Sequence, residues 1–185
     1  MTHRRHLHQV APTTLDDLAG HVPQTYIDGA RAVSSAFQKA GVAHVLVGGL
    51  AVGVCGYPRP TKDIDFLVDD SAFEFHGPIV SHRPGLPVSY QGVSVDWVSL
   101  EPHERAALEK FLVLPLRDED VPVLPVEPLV AMKLIAGRLK DQTDVVEIVK
   151  AGADIASIRN FVAKNFPTKT KLLDKLIDLA MSEGD

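Results

Sequence analysis

The sequence predicts an α+β fold in which helices cover a small mixed or antiparallel sheet and a C-terminal helical part follows. Three observations lead there. Short β-branched-rich runs bounded by glycine or proline fall at 43–47, 63–68 and 93–98, a helix-period segment precedes them, and helix-period segments fill the chain after residue 125. At 185 residues and 45% hydrophobic content the chain suits one domain with a normal core.

Residues 1–22 are read as a flexible N-terminal segment, 23–125 as the core and 126–185 as a C-terminal helical part of the same domain. The histidines at the start, His3, His6 and His8, belong to a polar arm rather than a metal site. Leu15 to Leu18 makes a short turn. From Pro23 to Ala40 the positions Tyr26, Ile27, Ala30, Val33, Phe37 and Ala40 recur at helical spacing, and Gly41 is suited to end that helix. Ala43 to Val47 then reads as a buried strand, which Gly48-Gly49 breaks before one or two helical turns over Leu50 to Cys55. A strand running through glycines into a helix presents bare backbone N–H groups, which favour anions such as phosphate.

Tyr57-Pro58-Arg59-Pro60 is a turn, because each proline restricts itself and the residue before it. Asp63 to Val68 resumes as a strand, and its period of two puts Asp63 and Asp65 on one face and Ile64 and Phe66 in the core. Two carboxylates about 4 Å apart repel by roughly 4 kcal/mol at an effective dielectric near 20, so the pair calls for a cation. Hard oxygen ligands beside a phosphate-binding turn point to Mg²⁺ or Mn²⁺. Taken singly, Gly-Gly is a turn and Asp-x-Asp a solvated strand end. The combination in this order carries the signal.

Asp69-Asp70-Ser71 caps a short helix through Phe75, with Asp69 and Asp70 as N-terminal helix charges rather than metal ligands. Pro84 to Pro87 connects to a hairpin of Val88–Tyr90 and Val93–Val98 across Gly92. In its second arm Val93, Val95 and Trp97 share one face, and Ser94, Asp96 and Val98 the other. Glu101 to Leu112 is an amphipathic helix opened by Pro102, and Val121 to Leu124 is a short edge strand between prolines. From Pro128, Leu129, Met132, Ile135 and Ala136 form an apolar stripe with Lys133 to one side. A further helix runs from Asp141 with Val145, Val146, Ile148 and Val149 buried. Two amphipathic helices, Ala153 to Phe166 and Lys169 to Met181, complete the chain.

Net charge is −5 and pI near 5.9, which argues against bulk electrostatic capture of nucleic acid but leaves room for a local basic groove. Cys55, the one cysteine, excludes an intrachain disulfide and reads as a buried thiol rather than a nucleophile. No signal-peptide pattern is present. The longest apolar run, Gly41 to Gly56, carries His44 and several glycines and falls short of the about 20 residues of a membrane helix, so a cytoplasmic protein with no membrane partner is expected.

Val47-Gly48-Gly49, thirteen residues, and then Asp63-Ile64-Asp65-Phe66 resemble the signature of the DNA polymerase β-type nucleotidyltransferase superfamily. The phrasing Arg59-x-Thr61-x-Asp63-x-Asp65 resembles more narrowly the minimal nucleotidyltransferases of the AbiEii type, many of which are toxins of toxin–antitoxin pairs. The resemblance spans roughly Ala43 to Val149, its specific motifs lying in the first half. It implies a third carboxylate from a neighbouring strand, for which Asp96 is the candidate; without the upstream motif Asp96 is a surface-strand aspartate. The run Leu134-x-x-x-Arg138-x-Lys140-Asp141-x-x-Asp144 resembles a helical segment of these enzymes in which a lysine reaches nucleotide phosphates. Lys133 is the first candidate for it and Lys140 the second, against a reading in which Arg138, Lys140, Asp141 and Asp144 form a solvated or ion-paired junction.

The resemblance implies transfer of a nucleoside monophosphate from a nucleoside triphosphate to an acceptor. Asp63, Asp65 and Asp96 would hold Mg²⁺ or Mn²⁺, Asp96 would also help deprotonate the acceptor, and Gly48 and Gly49 would let the backbone approach the phosphates. Arg59, Thr61, Lys133 and Lys140 complete the nucleotide-binding set. Three acceptor readings stay open. They are a toxin acting on RNA or protein and paired with an antitoxin protein, a small-molecule enzyme of the antibiotic-modifying kind, and a non-catalytic nucleotide-binding module. The presence of all three carboxylates argues against the last, and the acidic charge argues weakly against a large RNA acceptor.

Overall fold

The computed structural model describes residues 14–116 and 121–183, so the histidine-bearing arm lies outside the described residues. The described chain forms two compact units, one of residues 14–54 and 58–124, the other of residues 55–57 and the chain from 125 onward.

The first unit is the α+β part. After a 3-10 turn at Leu15–Leu18, helix α1 (Gln24–Lys39) buries Ile27, Ala30, Val33 and Phe37 at three-to-four-residue spacing. Gly41, at φ +71°, takes the left-handed conformation that ends it. Strand β1 (His44–Leu46) leads into the short helix α2 (Gly48–Val54) and returns as β2 (Asp63–Val68). Further along come β3 (Phe73–His76), β4 (Ile79–His82), β5 (Ser89–Tyr90) and β6 (Val93–Val98), followed by helix α3 (Pro102–Leu108).

The main sheet has the order β1-β2-β6-β5: β1–β2 and β6–β5 are antiparallel, whereas β2–β6 is parallel, so the sheet is mixed. Helix α1 packs on this sheet. The Phe37 ring stands edge-on to Phe66 at 5.4 Å and to Trp97 at 5.5 Å, joining α1 to the two central strands. Ile64 and Phe66 are fully buried, as the alternation along β2 requires. His44 is buried between Ser34, 2.7 Å from its Nε2, and the Val42 carbonyl, 2.9 Å from its Nδ1.

The segment after β2 departs from expectation. Rather than a helix through Phe75, a 3-10 turn at Asp70–Ala72 runs straight into β3, which pairs with β4 in a separate antiparallel hairpin. The Asp69 carboxylate caps the turn by accepting from the Ser71 N–H at 2.9 Å, and it also accepts from the Ala43 N–H at 2.9 Å. Asp70 pairs with Arg105 at 2.8 Å. Val121 to Leu124 makes no strand. Its prolines limit it to a single parallel bridge, Leu46 with Val123, on the outer edge of β1. The helix expected over Glu101 to Leu112 stops at Leu108 and tightens into a 3-10 turn.

The second unit is helical: α4 (Val126–Ala136), α5 (Leu139–Lys150), α6 (Ile155–Asn165) and α7 (Thr170–Ser182). Helix α4 packs on α5 and α6, and α5 on α7. Val145, Val146, Ile148 and Val149 are buried, as are Leu173, Leu176, Ile177 and Ala180 of α7. The stripe expected on α4 is corrected: Ala136 is exposed and Lys133 is buried, because α5 supplies the carboxylates that neutralise it. Burial, aided by Glu127, pushes the Cys55 thiol up to about 12, out of the range of a nucleophile at neutral pH. Among the described residues no helix is long and apolar enough to cross a membrane.

Candidate active site

Three carboxylates converge on one face of the β2–β6 pair. In the parallel register Asp63 stands beside Ser94 and Asp65 beside Asp96, so all four side chains project from the same face. One oxygen from each of Asp63, Asp65 and Asp96 lies within 4.8 Å of the others. Two unit charges at that spacing repel by about 3 kcal/mol at an effective dielectric near 20. Asp63 and Asp65 are half-buried and Asp96 is exposed, so the cluster is partly enclosed on the β2 side and open on the β6 side. The Ser94 hydroxyl donates to Asp96 Oδ1 at 3.3 Å, and the Thr61 hydroxyl to Asp63 Oδ1 at 3.1 Å.

The turn between β1 and α2 is shaped around this cluster. Gly48 has a φ of +64°, and a Cβ built on it would lie 1.7 Å from Asp65 Oδ2. Only glycine leaves the carboxylate its place. The Val47 N–H donates to the Asp65 carbonyl at 2.9 Å, which ties the strand before the turn to the strand bearing the aspartates. A Cβ on Gly49 would meet Thr61 Oγ1 at 2.5 Å and Arg59 Nη1 at 3.3 Å, so both of those side chains close over the turn. Arg59 Nη1 also donates to the Pro60 carbonyl at 3.1 Å.

The donor set suits a hard divalent cation. It consists of carboxylate oxygens from adjacent strands, one of them nested against bare backbone, with no soft ligand in the group. Asp63, Asp65 and Asp96 are the residues that fit a divalent metal ion.

The lysines of the sequence reading belong to the helical unit. Lys133 Nζ lies 3.0 Å from Asp141 Oδ1 and 2.9 Å from Asp144 Oδ2, all three groups being buried. Arg138 Nε adds a contact of 2.7 Å to Asp141 Oδ2. Burial works to raise the Asp141 carboxyl's pKa, but the hydrogen bonds and charges of Arg138 and Lys133 outweigh it and hold the group below its ordinary value. Lys140, in the first turn of α5, is exposed.

Sequence reasoning did not assign Ser94 a role, although it stands two residues before Asp96 and so on the same face of a strand. It placed Asp141 and Asp144 in a helical motif and in a solvated or ion-paired junction, without pairing either with Lys133. Charge spacing along helices cannot show which member of a junction is buried.

No protein-family model matches this chain, and no curated protein matches it. Among solved structures the chain is similar to one described as the crystal structure of an antigenic nucleotidyltransferase-like protein from Paracoccidioides brasiliensis. Identity is 17% and the TM-score 0.45, over 91% of this chain and 95% of that one.

Proposed function

We propose that this chain is a metal-dependent nucleotidyltransferase. It moves a nucleoside monophosphate from a nucleoside triphosphate to an acceptor and releases pyrophosphate. The observation that carries the reading is the convergence of Asp63, Asp65 and Asp96 beside a turn whose glycine leaves room for the Asp65 carboxylate.

Asp63, Asp65 and Asp96 would hold Mg²⁺ or Mn²⁺, which when bound would supply positive charge to the triphosphate and to the attacking oxygen. In the reaction an acceptor oxygen forms a bond to the α-phosphorus, and the bond from that phosphorus to the oxygen bridging the α- and β-phosphates breaks. Asp96, the solvent-facing carboxylate, receives the acceptor's proton. As the motif resemblance implies, the turn at Gly48 and Gly49 approaches the phosphates, with Asp65 against Gly48 and with Thr61 and Arg59 against Gly49. The motif resemblance offers Lys133 and Lys140 as cations for the phosphates, and Lys133 is already paired with Asp141 and Asp144.

The test is incubation of the purified chain with each α-labelled nucleoside triphosphate, Mg²⁺ or Mn²⁺ and a cell extract, in parallel with Asp65→Ala. Label entering RNA, protein or a small molecule only with the unmutated chain supports the reading and identifies the acceptor class. Full transfer by the Asp65→Ala variant overturns it. The narrower toxin reading comes from the motif resemblance and predicts growth arrest on expression that Asp65→Ala abolishes and an antitoxin relieves.

A further inference from the structure

We infer that Gly49 and Thr61 work as one positioning device, in which the Thr61 hydroxyl holds the Asp63 carboxylate in its metal-ligating orientation and Gly49 leaves the space that hydroxyl occupies. The inference rests on the metal-binding reading of the carboxylate cluster.

The terminal torsion of an aspartate is broad and roughly two-fold, so the rotamer preference of Asp63 does not by itself aim its oxygens. Its orientation comes from a neighbour. Thr61 Oγ1 donates to Asp63 Oδ1 at 3.1 Å and also lies 3.3 Å from the Asp63 carbonyl, so one hydroxyl holds both the side chain and the backbone of the same residue. Thr61 is β-branched and stiff at its one heavy-atom torsion, so it delivers the hydroxyl to a defined place.

That place is available because of residue 49. A Cβ there would lie 2.5 Å from Thr61 Oγ1 and 2.7 Å from Thr61 Cβ, closer than real Cβ atoms approach. Neither threonine atom is the far end of a long side chain, so Thr61 cannot bend aside while keeping its hydrogen bond. Any larger residue at 49 therefore acts on Asp63 through Thr61. Gly49 is itself buried inside helix α2 without the positive φ that excuses Gly48, so space rather than backbone conformation is what its missing side chain provides. Groups that orient metal ligands matter by about ten- to a hundredfold in metal affinity.

The experiment is titration of the metal-free chain with Mn²⁺, reading free Mn²⁺ by its paramagnetic resonance signal, with thermal unfolding in chelator recorded for every variant. Thr61→Val, which keeps the shape and removes the hydroxyl, binds Mn²⁺ about tenfold more weakly, and Thr61→Ser restores wild-type affinity. Gly49→Ala shows the same loss as Thr61→Val. The Gly49→Ala/Thr61→Val double variant is no weaker than either single change, since both remove one interaction. Wild-type affinity in Thr61→Val, with binding lost in Asp65→Asn, overturns the positioning role and leaves the metal site standing. Additive losses in the double variant overturn the coupling of Gly49 to Thr61. If neither the wild-type chain nor Asp65→Asn binds Mn²⁺, the metal-binding reading itself falls, and the inference with it. Should Thr61→Val lose its unfolding transition, the comparison of Gly49→Ala with Thr61→Ser carries the test, with equal wild-type affinity in both overturning the inference.

Discussion

Asp65 and Asp96 stand side by side in the parallel register of β2 and β6, although thirty residues separate them along the chain. Parallel neighbours present their side chains to the same face, so this pairing turns a local Asp-x-Asp into a three-carboxylate cluster.

Removing one charge relieves repulsion when no cation is present. Asp96→Asn therefore melts at the same temperature as wild type, or a few degrees higher, in chelator, and keeps the Ser94 contact through its amide oxygen. Adding Mn²⁺ reverses the order, because ligand binding stabilises only a chain that can hold it. Differential scanning calorimetry with and without Mn²⁺ checks this; an equal Mn²⁺ shift in both proteins contradicts it.

Gly48→Ala suffers twice. The left-handed backbone at φ +64° costs a non-glycine residue about 1–2 kcal/mol, and the new methyl group displaces Asp65 Oδ2. Stability in denaturant falls by at least that backbone cost, and under the proposed function nucleotide transfer falls by about a hundredfold or more, the scale on which misplacement of a positioned group is felt.

In the helical unit, Lys133→Met removes the buried cation that Asp141 and Asp144 share and leaves Arg138 on Asp141. Such a break costs about 3–5 kcal/mol, whereas exposed Lys140→Ala stays within about 0.5 kcal/mol of wild type. A lost transfer activity in Lys140→Ala is thus a functional result, and one in Lys133→Met needs the urea curve beside it. The lowered Asp141 carboxyl contributes stability that is fully present above its ordinary value of 3.8 and is lost as pH falls below that through its folded value.

His44, a base, gives a pH dependence of the same sign at higher pH. Burial holds its imidazole below the ordinary 6.5, against the Val42 carbonyl and the charge of Asp69, which favour the protonated ring. The unfolded chain then takes up a proton near pH 6.5 that the folded chain refuses. Stability falls as pH drops below 6.5, by at most about 1.4 kcal/mol per pH unit, until the folded ring also protonates. Urea midpoints between pH 7.5 and 5 in wild type and His44→Leu, which lacks the titrating ring, read that slope as a difference.

The sequence by itself determined what is local. The alternation of Asp63-Ile64-Asp65-Phe66 decided which residues enter the core, because a period of two is a property of any extended strand, and Ile64 and Phe66 are fully buried as that period demands. Helix α1 and its glycine stop were legible for the same reason, as were the hairpin arms at Tyr90 and Val93 and the opposite faces of Asp96 and Trp97. Tertiary structure alone decided the parallel register that sets Asp96 beside Asp65, since hydrogen bonds between distant strands leave no mark in either strand's own pattern. It turned Phe73–His76 into a strand, because pairing with Ile79–His82 outweighs the capped start at Asp69. It also buried Lys133, a position that local hydropathy assigns to the surface, because the carboxylates that make burial tolerable arrive from the next helix.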